Sequence, residues 1–194
     1  MIKTITDILL STGIKNVGFC NFEDVKDNLI DCRAKSRIPK NSKTIIICAF
    51  PYKVREEAPK FLSRYASVPD YHVVCGDILK KACEGLKKIY LQNEFEWFCD
   101  NSPIPEVHTA ATAGLGVKGD NGLLITKEYG SFVFLGEIVT DLDIKCENKY
   151  AECKHCGKCK ITCPVSINKT KCLSNLSQQK KVGIADLEIL KENK

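Results

Sequence analysis

The chain has 194 residues, of which 44% are hydrophobic and 27% charged, and it carries a formal net charge of +5. This length suits one domain of ordinary size, or one such domain with a small addition, and the composition is that of a globular protein with a buried core. Because the apolar runs are too short to span a bilayer, the N-terminus lacks the long apolar region of a signal peptide and the positive charge forms no continuous run, we expect a cytoplasmic protein that binds neither a membrane nor DNA.

Four segments in the first half of the chain have clear secondary-structure patterns. Residues 4–11 and 71–91 carry apolar side chains at helical spacing, so both are predicted to be helices. Residues 16–22 predict a strand. Residues 43–50 form a run rich in β-branched side chains between two prolines, which predicts a buried strand.

The second half begins with a predicted short strand at residues 95–99 and a helix at residues 105–113 that Gly114 would end. Two further strands are predicted at residues 123–126 and 131–140, and the four residues between them predict a hairpin-like turn. This mixture of helices and strands predicts an α+β fold whose N-terminal part is a layered α/β domain.

The composition changes after Asp141, where regular hydrophobic spacing ends and cysteine, lysine and asparagine dominate. We therefore divide the chain into an α/β domain at residues 1–143 and a small cysteine module at residues 144–194. The module ends in a predicted helix at residues 184–193.

Cysteine is unusually frequent, with twelve in the chain. Six are scattered and mostly flanked by apolar residues, so we predict structural roles for them. These six are Cys20, Cys32, Cys48, Cys75, Cys83 and Cys99. The other six are crowded near the C-terminus, which in a cytoplasmic chain indicates metal binding or buried thiols. They are Cys146, Cys153, Cys156, Cys159, Cys163 and Cys172.

Four of the crowded cysteines, followed by a proline, have the spacing C-x2-C-x2-C-x3-C-P. They are Cys153, Cys156, Cys159 and Cys163. This is the bacterial ferredoxin spacing, so we predict an iron–sulfur cluster. Gly157 allows the sharp turn that brings thiolates together, and Pro164 turns the chain away afterwards. Zinc sites usually use two C-x2-C pairs with a longer spacer, so zinc is the weaker alternative and disulfides are weaker still.

The sequence leaves the fourth cluster ligand open. In two-cluster ferredoxins the last cysteine of this run ligates the other cluster. Either Cys163 or Cys146 can close one [4Fe-4S] cluster, whereas a second cluster would need Cys163, Cys172 and ligands that this sequence does not contain. We therefore expect one cluster. His155 lies between two ligands and is predicted to be an exposed loop residue.

A second motif, formed by Gly114, Gly116 and Gly119, matches the G-x-G-x-x-G pattern of dinucleotide-binding loops. Dinucleotide binding needs a strand before the motif and a helix after it. Here the order is reversed, so the motif does not indicate NAD binding. The glycines instead predict a sharp turn or a close approach of the backbone to a ligand.

Several segments, in a fixed order, resemble the epoxyqueuosine reductase family, whose members are relatives of the corrinoid reductive dehalogenases. The segments are Arg64-Tyr65-Ala66 with Asp70-Tyr71-His72, Asp100 to Pro103 with Glu106, Ala113 to Gly116 with Gly119, residues 130–141, the cysteine run, and Cys172 with the two residues after it. The resemblance implies reduction of the epoxide of epoxyqueuosine in tRNA to an alkene, with cobalamin in an active site beside [4Fe-4S] clusters.

The resemblance also implies roles for individual residues. Asp100 would be the catalytic proton donor, with an ordinary loop or capping aspartate as the alternative. The cofactor-binding positions would be His72, Gly114, Gly116, Gly119, Gly130, Ser131 and Gly136. For these positions the alternatives are a plain β-hairpin in the core and, for His72, a residue that starts a helix. Residues 1–143 would be a cobalamin-binding-like domain and residues 144–194 a ferredoxin-type module, with tRNA and an electron donor such as a ferredoxin or flavodoxin as partners.

The chain also departs from the family's pattern. Val107 replaces an arginine, and the second cysteine run and the C-terminal helical repeats are absent. Three hypotheses therefore remain: a short reductase of this family that uses cobalamin, an iron–sulfur electron-transfer protein without its own catalytic site, and a truncated family member.

Overall fold

The computed structural model describes residues 1–52, 63–147, 149–177 and 179–192. The chain forms two compact units. The first consists of Met1–Lys118 and Leu123–Glu152, and the second of Gly119–Gly122 and Cys153–Lys194. Ile144 is buried in the core of the first unit. The functional division at residue 143 stays a prediction.

The described residues of the first unit form six strands. They are β1 (Asn16–Asn21), β2 (Thr44–Pro51), β3 (Phe95–Phe98), β4 (Val117–Lys118), β5 (Leu124–Ile125) and β6 (Val133–Thr140). Four of them form an antiparallel sheet in the order β1-β2-β6-β3, and β4 pairs with β5 in a separate ribbon. The two central strands, β2 and β6, are buried over most of their length, which agrees with their β-branched composition.

Three helices cover the two faces of this sheet. They are α1 (Ile2–Ser11), α2 (Tyr71–Ile89) and α3 (Glu106–Thr112). Because successive strand residues point to opposite faces, Ile46 packs into one core with α1 and α2, while Ile45 and Ile47 pack into a second core with α3. The predicted layered α/β arrangement is therefore confirmed.

The second unit contains three short helices, α4 (Lys158–Thr162), α5 (Leu173–Ser177) and α6 (Ile184–Glu192). The predicted terminal helix is thus confirmed, although its predicted last residue, Asn193, lies outside the described residues. Five single turns of 3-10 helix complete the described secondary structure, at Phe22–Asp24, Lys26–Asn28, Arg33–Arg37, Arg64–Ser67 and Lys169–Lys171. Among the described residues, no helix combines the length and the apolar content that a membrane span requires.

The predicted helices and strands of the first unit are observed within a few residues of their expected limits. The predicted hairpin between residues 123–126 and 131–140 is wrong as a strand pairing. Its turn closes with one antiparallel bridge, between Thr126 and Gly130, but β5 pairs with β4 and β6 pairs with β2 and β3. β6 lies at the centre of the sheet, between β2 and β3, where most of its side chains are buried by the layers on the two faces.

Candidate functional site

The loop after β3 has an unusual backbone. Asp100 and Asn101 both adopt left-handed conformations, with φ values of 56° and 45°. Aspartate and asparagine tolerate this region better than other side chains, but successive residues there are uncommon. Such conformations persist where the surrounding structure holds them, and they are frequent at functional sites.

A histidine at the start of α2 contacts this loop. Asp70 caps the helix, because its Oδ1 atom accepts a hydrogen bond from the His72 backbone N–H at 2.9 Å. The same Oδ1 atom lies 2.7 Å from His72 Nδ1, and His72 Nε2 lies 3.2 Å from Asp100 Oδ2. His72 therefore bridges two carboxylates and starts the helix as well. Its cofactor-binding role stays a prediction.

The two carboxylates set the charge of His72. Hydrogen bonds to Asp70 and then to Asp100 raise the pKa of His72 above its ordinary value, while the same contact lowers the pKa of Asp70. The side chains of His72 and Asp100 are 52% and 54% exposed. This arrangement places an accessible histidine with a raised pKa beside the accessible side chain of Asp100.

Aromatic rings support this site. The Tyr71 ring lies 4.1 Å from the His72 ring and stacks on Phe134 of β6 at 4.3 Å, nearly parallel to it. Tyr52 stacks on Phe134 in turn, also at 4.3 Å. Burial, and after it the charge of Asp100, raise the pKa of the Tyr71 hydroxyl, so Tyr71 stays neutral and can donate a hydrogen bond.

A buried pair of carboxyl groups lies behind the Asp100 loop. Glu137 of β6 is fully buried, and its Oε1 atom accepts a hydrogen bond from Ser102 Oγ. Its second neighbour is Glu106, in the first turn of α3, whose carboxyl group is within hydrogen-bonding reach of Glu137. Burial is the main cause that raises both pKa values, that of Glu106 to about 7 and that of Glu137 well above its ordinary value.

The sequence-based prediction gave neither Glu137 nor Ser102 a role. A signal was present, since Glu137 interrupts an otherwise apolar central strand. A carboxyl group at a fully buried strand position needs hydrogen-bond partners, and these partners indicate a site.

The predicted cofactor-binding glycines have different surroundings. A Cβ atom on Gly116 would lie 2.6 Å from the Ile125 carbonyl oxygen, and one on Gly136 would lie 2.7 Å from Leu79 Cδ1. Close packing of the protein itself therefore accounts for both glycines. Gly130 has a positive φ of 59° and nothing within 4 Å of a Cβ at its position, so its surroundings are open.

The other predicted positions lie apart. Gly114 has a φ of 80° and follows α3, which it ends as predicted, and Ser131 is half-buried beside Gly130. Gly119 belongs to the second unit. A cavity of about 540 Å³ adjoins the turn before Gly130. Its lining includes Asn16, Leu115, Thr126, Tyr129 and Val133.

The cysteine run lies in the second unit and forms a tightly wound loop. His155 and Gly157 have positive φ values of 49° and 74°, and α4 begins directly after Gly157. The His155 backbone N–H donates to Cys153 Sγ at 3.4 Å, which is the kind of contact that stabilises a ligand thiolate. The helix ends before Cys163, whose extended backbone is expected for a residue that precedes a proline.

One group of metal-binding side chains in this unit has its ligand atoms within 4.8 Å of one another: Asp120, Cys153 and His155. His155 is exposed, as predicted, and its Nδ1 atom lies 2.8 Å from Asp120 Oδ1. The other crowded cysteines are outside this group. Cys159, Cys163 and Cys172 are partly exposed and Cys156 is exposed, so all four residues are accessible to solvent.

The chain is similar to known proteins over much of its length. A family profile described as "Epoxyqueuosine reductase QueG, DUF1730" matches residues 34–101. An epoxyqueuosine reductase from Lactococcus garvieae is 38% identical over 160 residues, which cover 74% of this chain and 45% of that protein. One from Cyclobacterium marinum is 32% identical over 171 residues, which cover 82% and 55%. The chain thus spans about half the length of these curated relatives.

Solved structures have the same fold. Epoxyqueuosine reductase from Streptococcus thermophilus matches 95% of this chain and 60% of its own, with a TM-score of 0.78 and 25% identity. An epoxyqueuosine reductase bound to an epoxyqueuosine-modified tRNA stem loop matches 97% of this chain and 60% of its own, with a TM-score of 0.76 and 20% identity. A reductive dehalogenase described in terms of B12-dependent dehalogenation matches 77% of this chain and 21% of its own, with a TM-score of 0.54 and 13% identity.

Proposed function

This chain belongs to the epoxyqueuosine reductase family, and we propose that it is an iron–sulfur oxidoreductase that reduces the epoxide of epoxyqueuosine in tRNA, or a related epoxide. One observation carries the proposal: His72 joins Asp70 to Asp100 by hydrogen bonds on an exposed surface. All three residues lie within the segment that matches the family profile.

The reaction defines what these residues must do. Reduction of an epoxide to an alkene takes up two electrons and two protons and releases water. The departing oxygen needs a proton, which a positioned side chain can deliver. We assign this delivery to Asp100, which passes to the oxygen a proton that it receives from His72 Nε2, while Asp70 holds the ring through Nδ1.

The electrons require bound cofactors. When bound, an iron–sulfur cluster supplies electrons singly and cobalamin supplies a cobalt centre that can react at carbon. The wound loop and accessible thiols of the second unit fit the cluster, with Cys153, Cys156, Cys159 and Cys163 as its ligands. Cys172 is left for a second cluster, and a ferredoxin or flavodoxin is the kind of donor that the cluster would need.

Cobalamin binding rests on fewer residues. The open surroundings of Gly130, the adjoining cavity and the nearby Ser131 fit a large ligand, whereas Gly116 and Gly136 are already in close contact with the protein. The fold shared with a B12-dependent reductive dehalogenase supports the same cofactor. His72 and Gly130 would then belong to one cofactor site in the 1–143 domain. Gly114 and Gly119 are kept as candidate contacts.

The proposed substrate is tRNA. A solved relative of the same fold binds an epoxyqueuosine-modified tRNA stem loop, and this chain has a net charge of +5 that favours contact with phosphates. A product assay tests the proposal directly. The chain is reconstituted anaerobically with iron, sulfide and cobalamin, and then incubated with epoxyqueuosine-containing tRNA and a low-potential reductant. Nucleosides from the digested tRNA are analysed by mass spectrometry, and we expect conversion to the deoxygenated nucleoside queuosine.

A second candidate function follows from the separate compact unit that carries the cysteine run. If the reconstituted chain binds about four iron atoms, retains no cobalt and yields no queuosine, the chain is an electron carrier and not a reductase. Zinc in place of iron, even after this reconstitution, would exclude both functions.

A further inference from the structure

The Asp100 loop is tied to the centre of the sheet at one point. Ser102, two residues after Asp100, donates its hydroxyl proton to Glu137 and accepts a hydrogen bond from the Ile104 backbone N–H at 3.0 Å. Ser102 is 7% exposed and Glu137 is 0% exposed, so water does not compete for this contact. Glu137 pairs with Phe98, the last residue of β3, and therefore lies on the neighbouring strand beside the start of the loop.

Glu137 can accept this bond whether its carboxyl group is charged or neutral. Each of the two carboxyl groups keeps one buried oxygen without a donor, Oε1 of Glu106 and Oε2 of Glu137. Two buried carboxyl groups in mutual contact cannot both be ionised at moderate cost, and a shared proton satisfies both. In the described part of the chain, no lysine or arginine forms an ion pair with either group.

The groups that face the pair come from three elements. Asp100 and Cys99 lie in the loop after β3, Cys48 lies on β2 and Tyr71 lies on α2. These neighbours are neutral or acidic, so they favour a bound proton on the pair.

We propose that Glu137, held with Glu106 as a pair that shares one proton, is the positioning residue that fixes Asp100 against His72 through Ser102. The catalytic role of Asp100 in this inference rests on the proposed function. The positioning of Asp100 through Ser102 does not, because the left-handed backbone of Asp100 and Asn101 needs an external restraint and Ser102 is an adjacent anchored residue.

The test uses His72 as a reporter of where Asp100 lies. The chain has three histidines, at positions 72, 108 and 155, so the imidazole titration of each is resolvable by NMR in the cluster-reconstituted protein. Asp100→Asn defines the titration of His72 without the Asp100 charge. We expect Ser102→Ala to lower the His72 midpoint at least half as far as Asp100→Asn does. Ser102→Thr keeps the hydroxyl and should restore the wild-type midpoint.

Two further variants separate positioning from general damage. Glu137→Gln keeps an acceptor for Ser102, so it should retain the wild-type His72 midpoint, whereas Glu137→Ala should lower it. Ser11→Ala removes an exposed serine hydroxyl that bonds the Ile8 carbonyl on α1, and it should change nothing. A wild-type midpoint in both Ser102→Ala and Glu137→Ala would overturn the positioning role.

The product assay distinguishes this inference from the proposed function. If the His72 midpoint falls in Ser102→Ala but the wild type makes no queuosine, the proposed function is refuted and the positioning role stands. Where the wild type is active, Ser102→Ala should lower kcat at least tenfold with little change in KM, because substrate contacts are unaltered. If the wild type makes queuosine and Ser102→Ala keeps the wild-type His72 midpoint, only the positioning role is refuted.

Discussion

His72 Nε2 lies 3.2 Å from Asp100 Oδ2, although 28 positions separate the two residues in the chain. The contact joins the first turn of α2 to the loop after β3, and both elements reach this point because α2 packs against β3, an edge strand of the central sheet. An exposed imidazole that is shared by two carboxylates is a proton-handling arrangement, and its behaviour with pH can be predicted.

The His72 contacts should stabilise the fold more at low pH than at high pH. The folded-state pKa of His72 is raised by its carboxylate partners, so its contribution is complete below the ordinary value of 6.5 and is lost as the pH rises through the folded-state pKa. Because the side chain is about half exposed, the effect should be small. Denaturant unfolding of wild type and His72→Gln should therefore differ more at pH 5.5 than at pH 8.5. An equal difference at both pH values would contradict this prediction.

The buried carboxyl pair should act in the same direction over a lower range. Burial raises the pKa of Glu106 from 4.5 to about 7, so the folded state holds a proton that the unfolded chain releases. Stability should consequently fall as the pH rises from about 4.5 to about 7, and the raised pKa of Glu137 should continue this loss at higher pH. Glu106→Gln should flatten this part of the stability profile, whereas Glu84→Gln, at an exposed position of α2, should leave it unchanged. An unaltered profile in Glu106→Gln would show that the pair does not hold the proton.

The sequence pattern was sufficient for the local elements and insufficient for their pairing. Apolar spacing located α2 and the two central strands because these elements are decided by burial of one face or both. β6 pairs with β2, which lies more than eighty positions earlier in the chain. The turn signal at residues 127–130 instead led to the prediction that β6 pairs with the strand just before it. Long-range pairing is set by the whole core, which local spacing does not encode.

The candidate site shows the same division. The cysteine run was identified from spacing alone, because cluster ligation imposes a short-range pattern. His72 and Asp100 were candidates only through the resemblance and Asp70 was given no role, because the link between the three depends on the contact of two elements. Glu137 was visible as a charge in an apolar strand, but its partners Ser102 and Glu106 become apparent only when β3 and β6 are paired.

Packing around Gly136 predicts a specific destabilisation. A methyl group at Gly136 would lie 2.7 Å from Leu79 Cδ1 and 3.2 Å from the Phe98 carbonyl oxygen, so the buried Leu79 side chain must move and the β3 backbone must give way slightly. Gly136→Ala should cost about 1–3 kcal/mol of unfolding free energy. Gly76→Ala is the matched control, because its methyl group would meet only Trp97 at 3.4 Å and alanine favours the helix. Chemical unfolding of both variants tests this, and equal stability would contradict the packing argument.

Removal of the Asp100 carboxyl group should abolish most of the proposed activity. General acid catalysis by a positioned side chain typically contributes about 100-fold to 10,000-fold, and Asp100→Asn should lower kcat within this range. Asp77→Asn changes an exposed aspartate on the same helix as His72 and should retain full activity. The measurement is queuosine formed per minute at saturating tRNA, with iron content checked to be equal in all proteins. Full activity in Asp100→Asn would reassign the proton donor.

The fourth cluster ligand can be decided between Cys146 and Cys163. Cys146 is partly buried in the first unit, its thiol donates to the Ile144 carbonyl at 2.9 Å, and burial with the charges of Asp24 and Asp143 raises its pKa. A ligand must be a thiolate, so this environment disfavours ligation by Cys146.

Cys163 has a partly exposed thiol and lies in the same unit as the first three ligands, so we expect it to close the cluster. After anaerobic reconstitution, Cys146→Ser should keep the wild-type iron content and visible absorption, because serine can still donate to Ile144. Cys163→Ser should bind less iron or yield a cluster that loses iron under mild oxidation. Cys32→Ser, a partly exposed cysteine outside the run, is the control for general thiol loss. Iron loss in Cys146→Ser with none in Cys163→Ser would reverse the assignment and require Cys146 to leave its hydrogen bond with Ile144.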